Sequence, residues 1–268
     1  MPRYRTALLA ALMIGASGPA FSAAAQTSDD MAMSMQDEEN INAPYNEVLA
    51  TYISQKDGIN LFDYGTVTTA DKKKLTDYIA ALEGERPSQM TADEQIAFWA
   101  NLYNAKTLDI ILENYPVESI RDIKSGVFSS GPWKMKVLTV EGEELTLDNI
   151  EHDIVRAKFN EPRVHYAFNC ASIGCPNLKT SAWEAETLDE DLDAGARAYI
   201  AHPRGISIEN GKIITSSIYK WFKKDFGKND AEVLDHIRQY ATGDKLKALE
   251  GKTKINGNDY DWSLNDAQ

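Results

Sequence analysis

The chain has 268 residues, 28 lysines and arginines against 41 aspartates and glutamates, a formal net charge of -13 and two cysteines. With no block of basic residues, so acidic a balance argues against nucleic acid and anionic lipid as partners, since both need positive charge. A chain of this length can bury a full hydrophobic core without staples, and two cysteines permit one bridge at most.

Arg3 and Arg5 precede the apolar run "ALLAALMIGA", which is too short to cross a bilayer, and Ala23, Ala24 and Ala25 supply a small-residue cleavage site before Gln26. The pattern is that of a secretory signal peptide over residues 1–25 and predicts a periplasmic or secreted protein, off the membrane once cleaved. Residues 26–42 are polar, acidic and without period, and read as a flexible leader. A single domain is expected over residues 43–268.

That domain opens with amphipathic helical patterns in "YNEVLATYIS" and "DKKKLTDYIAALE", with "INLFDYGTV" extended between them. The longest helical pattern, "TADEQIAFWANLYNAKTLDIILENYP", starts at a Thr91 and Glu94 capping box and is closed by Pro116. "WKMKVLTV" and "EELTL" suit a hairpin, and "DNIEHDIVRAKF" a helix capped by Asp148. "VHYAF" reads as a buried strand, and "TLDEDLDAGARAYIAHP" as another helix. Asn210-Gly211 marks a type I′ hairpin. "SIYKWFKKDF" and "AEVLDHIRQYA" add two helices before the aromatic tail "NDYDWSLND". The expected class is α+β: a helix-rich first half, then short antiparallel strands and hairpins.

Both cysteines lie in "VHYAFNCASIGCPNL", residues 164–178. A helical turn started by Asn169 and stopped by Gly174 would place Cys170 against unpaired backbone N–H groups, which favour its thiolate and could hold an oxyanion. On a strand, His165 would sit about 16 Å from Cys170 and face the other way, so the base is sought elsewhere, with His152 the best candidate. A Cys170–Cys175 disulfide that fixes the loop is the structural alternative. Zinc held by His165, Cys170 and Cys175 would lack the second ligand pair of structural sites, so no metal or cofactor is expected. Asn101 and Asn104, three apart inside an apolar helix, either bond a buried loop or donate to a substrate carbonyl.

The segments "IAFWANLYNAKTLDIIL", "LDNIEHDIV", "PRVHYAFNCASIGCPNL", "SSIYKWFKKDF" and "YDWSLND" together resemble the family called domain of unknown function 547, from Tyr64 to Asp266. The resemblance implies weight at Asn101, Asn104, Glu151, His152, Arg163, His165 and Cys170. It also implies that the disulfide is dispensable to the fold, because plant members match at Cys170 but carry Ser-Pro where this chain has Cys175-Pro176. In pairing a cysteine with a histidine from another segment the family is similar to papain-like thiol hydrolases, although here His152 precedes Cys170.

Two readings follow. In one the protein is a thiol-dependent hydrolase or acyl transferase, with Cys170 as nucleophile, His152 as base and Asn101 steadying the oxyanion, and with Asn104, Arg163 and His165 binding a small molecule or peptide. In the other it is a non-catalytic binding or scaffold domain around a disulfide-fixed loop. A monomer is expected in either case.

Overall fold

A computed structural model describes residues 40–124, 126 and 131–268. The signal peptide expected over residues 1–25 lies outside them, as does the leader up to residue 39. Asn42, inside the expected leader, is buried, donates to Glu184 and accepts from the Tyr78 hydroxyl at 2.7 Å, so ordered packing starts before Ala43.

Helix α1, Ala43–Tyr52, leads into a hairpin of β1, Ile53–Lys56, and β2, Ile59–Phe62, paired with Ile53 opposite Phe62. Helix α2, Thr69–Glu83, is capped by the Thr68 hydroxyl, which accepts from the Asp71 N–H. Helix α3, Ala92–Asn114, carries the full Thr91–Glu94 capping box and is buried on every side from Gln95 to Ala105. A helix apolar all round belongs inside a core; α3 packs on α2, and α2 in turn meets α1 and strand β3, Leu138–Val140, which forms a hairpin with β4, Glu143–Leu145.

Asn149–Val155 then forms a π-helix that runs into the single turn of α4, Arg156–Lys158. "VHYAF" is not the strand its composition suggests. Pro162–Tyr166 is a 3₁₀ turn, started by Pro162 and by the Glu161 carboxylate accepting from the Arg163 N–H. Val, Tyr and Phe favour strands only where a neighbouring strand offers a pleated surface, and proline at the first helical position presets the other backbone.

Helix α5, Leu188–Ala201, is followed by β5, Ile206–Glu209, and β6, Lys212–Ser216, joined through Asn210 and Gly211 at positive φ as the type I′ signal requires. The helix expected over "SIYKWFKKDF" breaks at Phe222 into α6, Ile218–Trp221, and α7, Lys223–Phe226. Helices α8, Asp230–Tyr240, and α9, Gly243–Leu249, complete a second apolar cluster around Tyr166, Tyr199, Ile213 and Val233. Strand β7, Gly257–Asp259, adds parallel to β6.

The class is therefore α+β, mixed helix and strand with small antiparallel sheets. The aromatic tail threads back through the molecule, where Leu264 N–H donates to Glu118, Asn265 N–H to Ala171, and Phe62 N–H to the Asn265 carbonyl. No helix among the described residues is long and apolar enough to cross a membrane.

Candidate functional site

The cysteine loop is shaped by Asn169. Its Oδ1 accepts from the Ala171 N–H at 2.9 Å and its Nδ2 donates to the Pro176 carbonyl at 2.8 Å. No helical turn follows. The left-handed residue is Ala171, at φ 57°, rather than Gly174. Gly174 serves close approach instead: a Cβ there would meet the Asp261 carbonyl at 2.8 Å. The tail fastens the loop from outside, with Ile173 N–H on Ser263 and Gly174 N–H on Asp261, both at 2.8 Å.

Cys170 and Cys175 form a disulfide. Around it the Cys170 N–H donates to Cys175 Sγ at 3.0 Å. The Tyr260 hydroxyl lies 3.2 Å from Cys170 Sγ and 3.1 Å from Cys175 Sγ, and the Ser172 hydroxyl lies 3.2 Å from Cys170 Sγ and 3.0 Å from the Tyr260 oxygen. Each hydroxyl has one proton, so the two are shared between the sulfurs and each other. No imidazole among the described residues is hydrogen-bonded to either sulfur in this oxidised state.

The disulfide lines a half-open cleft. Trp133, Trp221, Phe222, Tyr260 and Trp262 supply aromatic walls, and Asp148, Glu151, His152 and His165 supply the titratable groups. The walls brace one another: Trp221 and Trp262 both pack on Tyr260, at centroid distances of 4.8 and 4.6 Å, and Trp221 is 46% exposed at the rim.

Charge in the cleft is organised by Asp225, which stands behind it. Its carboxylate takes Nε of Arg156 at 2.5 Å, Nη2 of Arg156 at 3.1 Å and Nε2 of His165 at 2.7 Å. Partial burial alone would raise Asp225, but the bonds from His165 and Arg156 outweigh it and hold the carboxyl well below the ordinary range. An ionised Asp225 makes Nε2 of His165 the protonated nitrogen and leaves the Nδ1 lone pair unused, 3.9 Å from Oε1 of Glu151. Burial keeps the His165 imidazole neutral, lowering its pKa against the pull of Asp225. Its ring is stacked on Phe222 at 4.2 Å. Glu151 is pushed up to about 7, chiefly by burial, with Arg156 opposing and Asp148 and Asp225 adding to the rise. No hydrogen bond reaches its carboxyl among the described residues, so burial is left uncompensated.

His152 is placed differently. Nη1 of Arg156 donates to its Nδ1 at 3.0 Å, which occupies the lone pair of the neutral ring, while Nε2 looks toward Asp148 at 3.9 Å. Burial lowers its pKa first, and Arg156 lowers it further.

The fold thus gathers Cys170, His152 and His165 in one cleft, because the 3₁₀ turn at His165 replaces the strand that would have parted it from Cys170. Glu151, adjacent to His152 in sequence, lines the same wall from the π-helix. Asn101 and Asn104 do not line it. The Asn101 amide is engaged on both sides by the Trp183 backbone, at 2.9 and 2.8 Å, and that of Asn104 bridges the Ala167 carbonyl and the Asn169 N–H. Arg163 also lies apart, in ion pairs with Glu161, Asp189 and Asp193. Sequence reasoning passed over Asp225, Tyr260 and the tryptophans. Their signal was the density of aromatic residues in "SIYKWFKKDF" and "NDYDWSLND", which read equally well as core. Among the described residues no three histidines, cysteines or carboxylates are grouped so as to hold a metal ion.

Fold and site define a mixed helix-and-strand protein whose cysteine pair meets carboxyl and imidazole groups in an aromatic cleft. Residues 87–200, which span α3, the π-helix and the cysteine loop, match the family model described as Protein of unknown function, DUF547, in line with the resemblance carried by the sequence motifs. Neither a curated protein nor a solved structure matches the chain. The likeness to papain-like hydrolases therefore rests only on the pairing of a cysteine with a distant histidine.

Proposed function

We propose that the protein is a thiol-dependent hydrolase or acyl transferase, active when Cys170 is reduced, on a small molecule or peptide held against the aromatic walls. The observation that carries this reading is the single cleft shared by Cys170 and by a neutral His165 whose Nδ1 has an unused lone pair. Cys170 attacks a carbonyl carbon as its proton passes to His165 Nδ1. Asp225 fixes the tautomer and stabilises the imidazolium. The hydroxyls of Tyr260 and Ser172, close to Cys170 Sγ, donate to the oxyanion in place of Asn101. The proton on His165 then leaves with the departing group, and water or a second nucleophile releases the acyl group from sulfur. His165 takes the role of base because Arg156 occupies the acceptor nitrogen of His152.

The disulfide favours a second reading, an exported binding or scaffold domain whose loop is fixed by Cys170–Cys175. The two are separated by assaying the dithiothreitol-reduced protein against a panel of activated esters and peptide amides, beside Cys170→Ser. Turnover that requires reduction and Cys170 supports the enzyme. Ligand binding that is indifferent to both supports the scaffold.

A further inference from the structure

The two sulfurs differ in ways that point beyond a staple. Cys175 is 3% exposed, whereas Cys170 is half-buried, and both border a cleft wide enough to admit a small thiol. The Cys170 N–H points at Cys175 Sγ at 3.0 Å, and among the described residues no N–H is directed at Cys170 Sγ. The hydroxyls of Tyr260 and Ser172 lie within reach of both sulfurs, 3.1 and 3.5 Å from Cys175 Sγ and 3.2 Å each from Cys170 Sγ, so the amide is what sets Cys175 apart. A thiolate formed on Cys175 would thus be met by a backbone amide and by hydroxyls, the environment that lowers a thiol pKa and speeds its departure from a disulfide.

The loop does not depend on the bond for its shape. Asn169 closes it from inside through Ala171 and Pro176, and the tail closes it from outside through Ser263, Asp261 and Asn265. Closing a loop with a sequence separation of only 5 constrains the unfolded chain far less than closing a long one. Both features mark a bond that can open without loss of the fold.

We propose that Cys170–Cys175 is a reversible thiol–disulfide centre serving dithiols that enter the aromatic cleft, with Cys170 the sulfur attacked and Cys175 the departing thiolate. One thiolate of the dithiol forms a bond to Cys170 Sγ as the Cys170–Cys175 bond breaks, and the electron pair of that bond goes to Cys175 Sγ. Cys175 takes up a proton. The second thiolate of the dithiol then attacks its partner sulfur in the mixed disulfide and expels the Cys170 thiolate, which is protonated in turn. The dithiol loses two electrons and two protons to become a disulfide, and the protein gains both. The exchange does not need the acyl-transfer reading, although it would supply the reduced Cys170 which that reading requires.

The test treats the oxidised full chain with limiting glutathione and quenches with N-ethylmaleimide before peptide mass mapping. Expected is glutathione on Cys170 with maleimide on Cys175, and full reduction by dithiothreitol with an unchanged far-ultraviolet circular dichroism spectrum. In Tyr260→Phe the rate of that reduction should fall by about tenfold, the loss of one hydrogen bond to a charged sulfur. Ser172→Ala gives the same readout should the first variant not fold. The proposal is overturned by glutathione on Cys175, by reduction that occurs only in denaturant, or by folded hydroxyl variants that are reduced at the wild-type rate. Failure of ester or amide turnover leaves it standing, so it is judged apart from the hydrolase reading.

Discussion

His165 Nε2 donates to Asp225 Oδ2 at 2.7 Å across 60 residues of sequence, and the same carboxylate receives two bonds from Arg156. One acidic side chain thereby orients the imidazole at the cleft and neutralises the only guanidinium packed on Phe222 among the described residues. Asp225→Ala leaves Arg156 and His165 without their acceptor and should cost about 2–4 kcal/mol, read from the urea midpoint, at the lower end of buried-pair losses because Arg156 and Asp225 are partly solvated. The folded pKa of Asp225 is depressed, so the stability it contributes is complete above the unfolded carboxylate value of about 3.9 and is lost as the pH falls through the depressed one.

Glu151 has the opposite sign. Its folded pKa is raised from 4.5 to about 7, so the native state favours its protonated form. The associated stability is complete below the unfolded value and is lost as the pH rises through about 7. The difference amounts to on the order of 3 kcal/mol over that window. Glu151→Gln keeps the shape and removes the titration. Chemical denaturation at intervals from pH 4 to 8 should show wild type losing stability relative to the variant as the pH rises. Parallel curves would count against a neutral Glu151.

Asn104 ties the middle of α3 to the entrance of the cysteine loop, through the Ala167 carbonyl and the Asn169 N–H. Asn104→Ala strands two buried backbone groups and should cost about 2–4 kcal/mol in thermal or denaturant unfolding. Asn101→Ala should behave alike through Trp183. Because neither side chain lines the cleft, the folded fraction of each variant should retain most of its ligand affinity. A loss of affinity without a loss of stability would restore the sequence expectation that these asparagines touch substrate.

Trp221, half in solvent, packs with Trp262 and Tyr260 in a triangle of rings at the mouth of the cleft. Trp221→Ala should leave stability within about 1 kcal/mol, since nearly half of the residue is in solvent. It should weaken any ligand that quenches the intrinsic fluorescence by about tenfold, as loss of an aromatic contact at a binding site does. Fluorescence titration of wild type and variant with the same ligand checks both parts.

Where sequence and structure agree, the signal was local. Thr91 with Glu94, and Asn210 with Gly211, each fix a boundary or turn through atoms a few residues apart, and both stand as the sequence implies. The misread segments depend on distant partners. "VHYAF" has no strand to pair with among the described residues, and so Pro162 and Glu161 set its backbone. The same substitution of turn for strand brings His165 into the cleft with Cys170. Asp225 and Tyr260 reach the site across 60 and 90 residues respectively, and neither hydrophobic period nor spacing encodes such a meeting. The motif positions gathered from the long helix, the π-helix and the cysteine loop mix cleft groups with loop braces, a distinction that only packing reveals.

The central claim is that reduced Cys170 and His165 act as an activated pair. Its most direct test is the pH dependence of iodoacetamide alkylation at Cys170 in the dithiothreitol-reduced protein, with His165→Ala alongside. The account predicts a Cys170 pKa well below the ordinary thiol value of about 8.5 in wild type and a return toward it in the variant. The same midpoint in both proteins would contradict it.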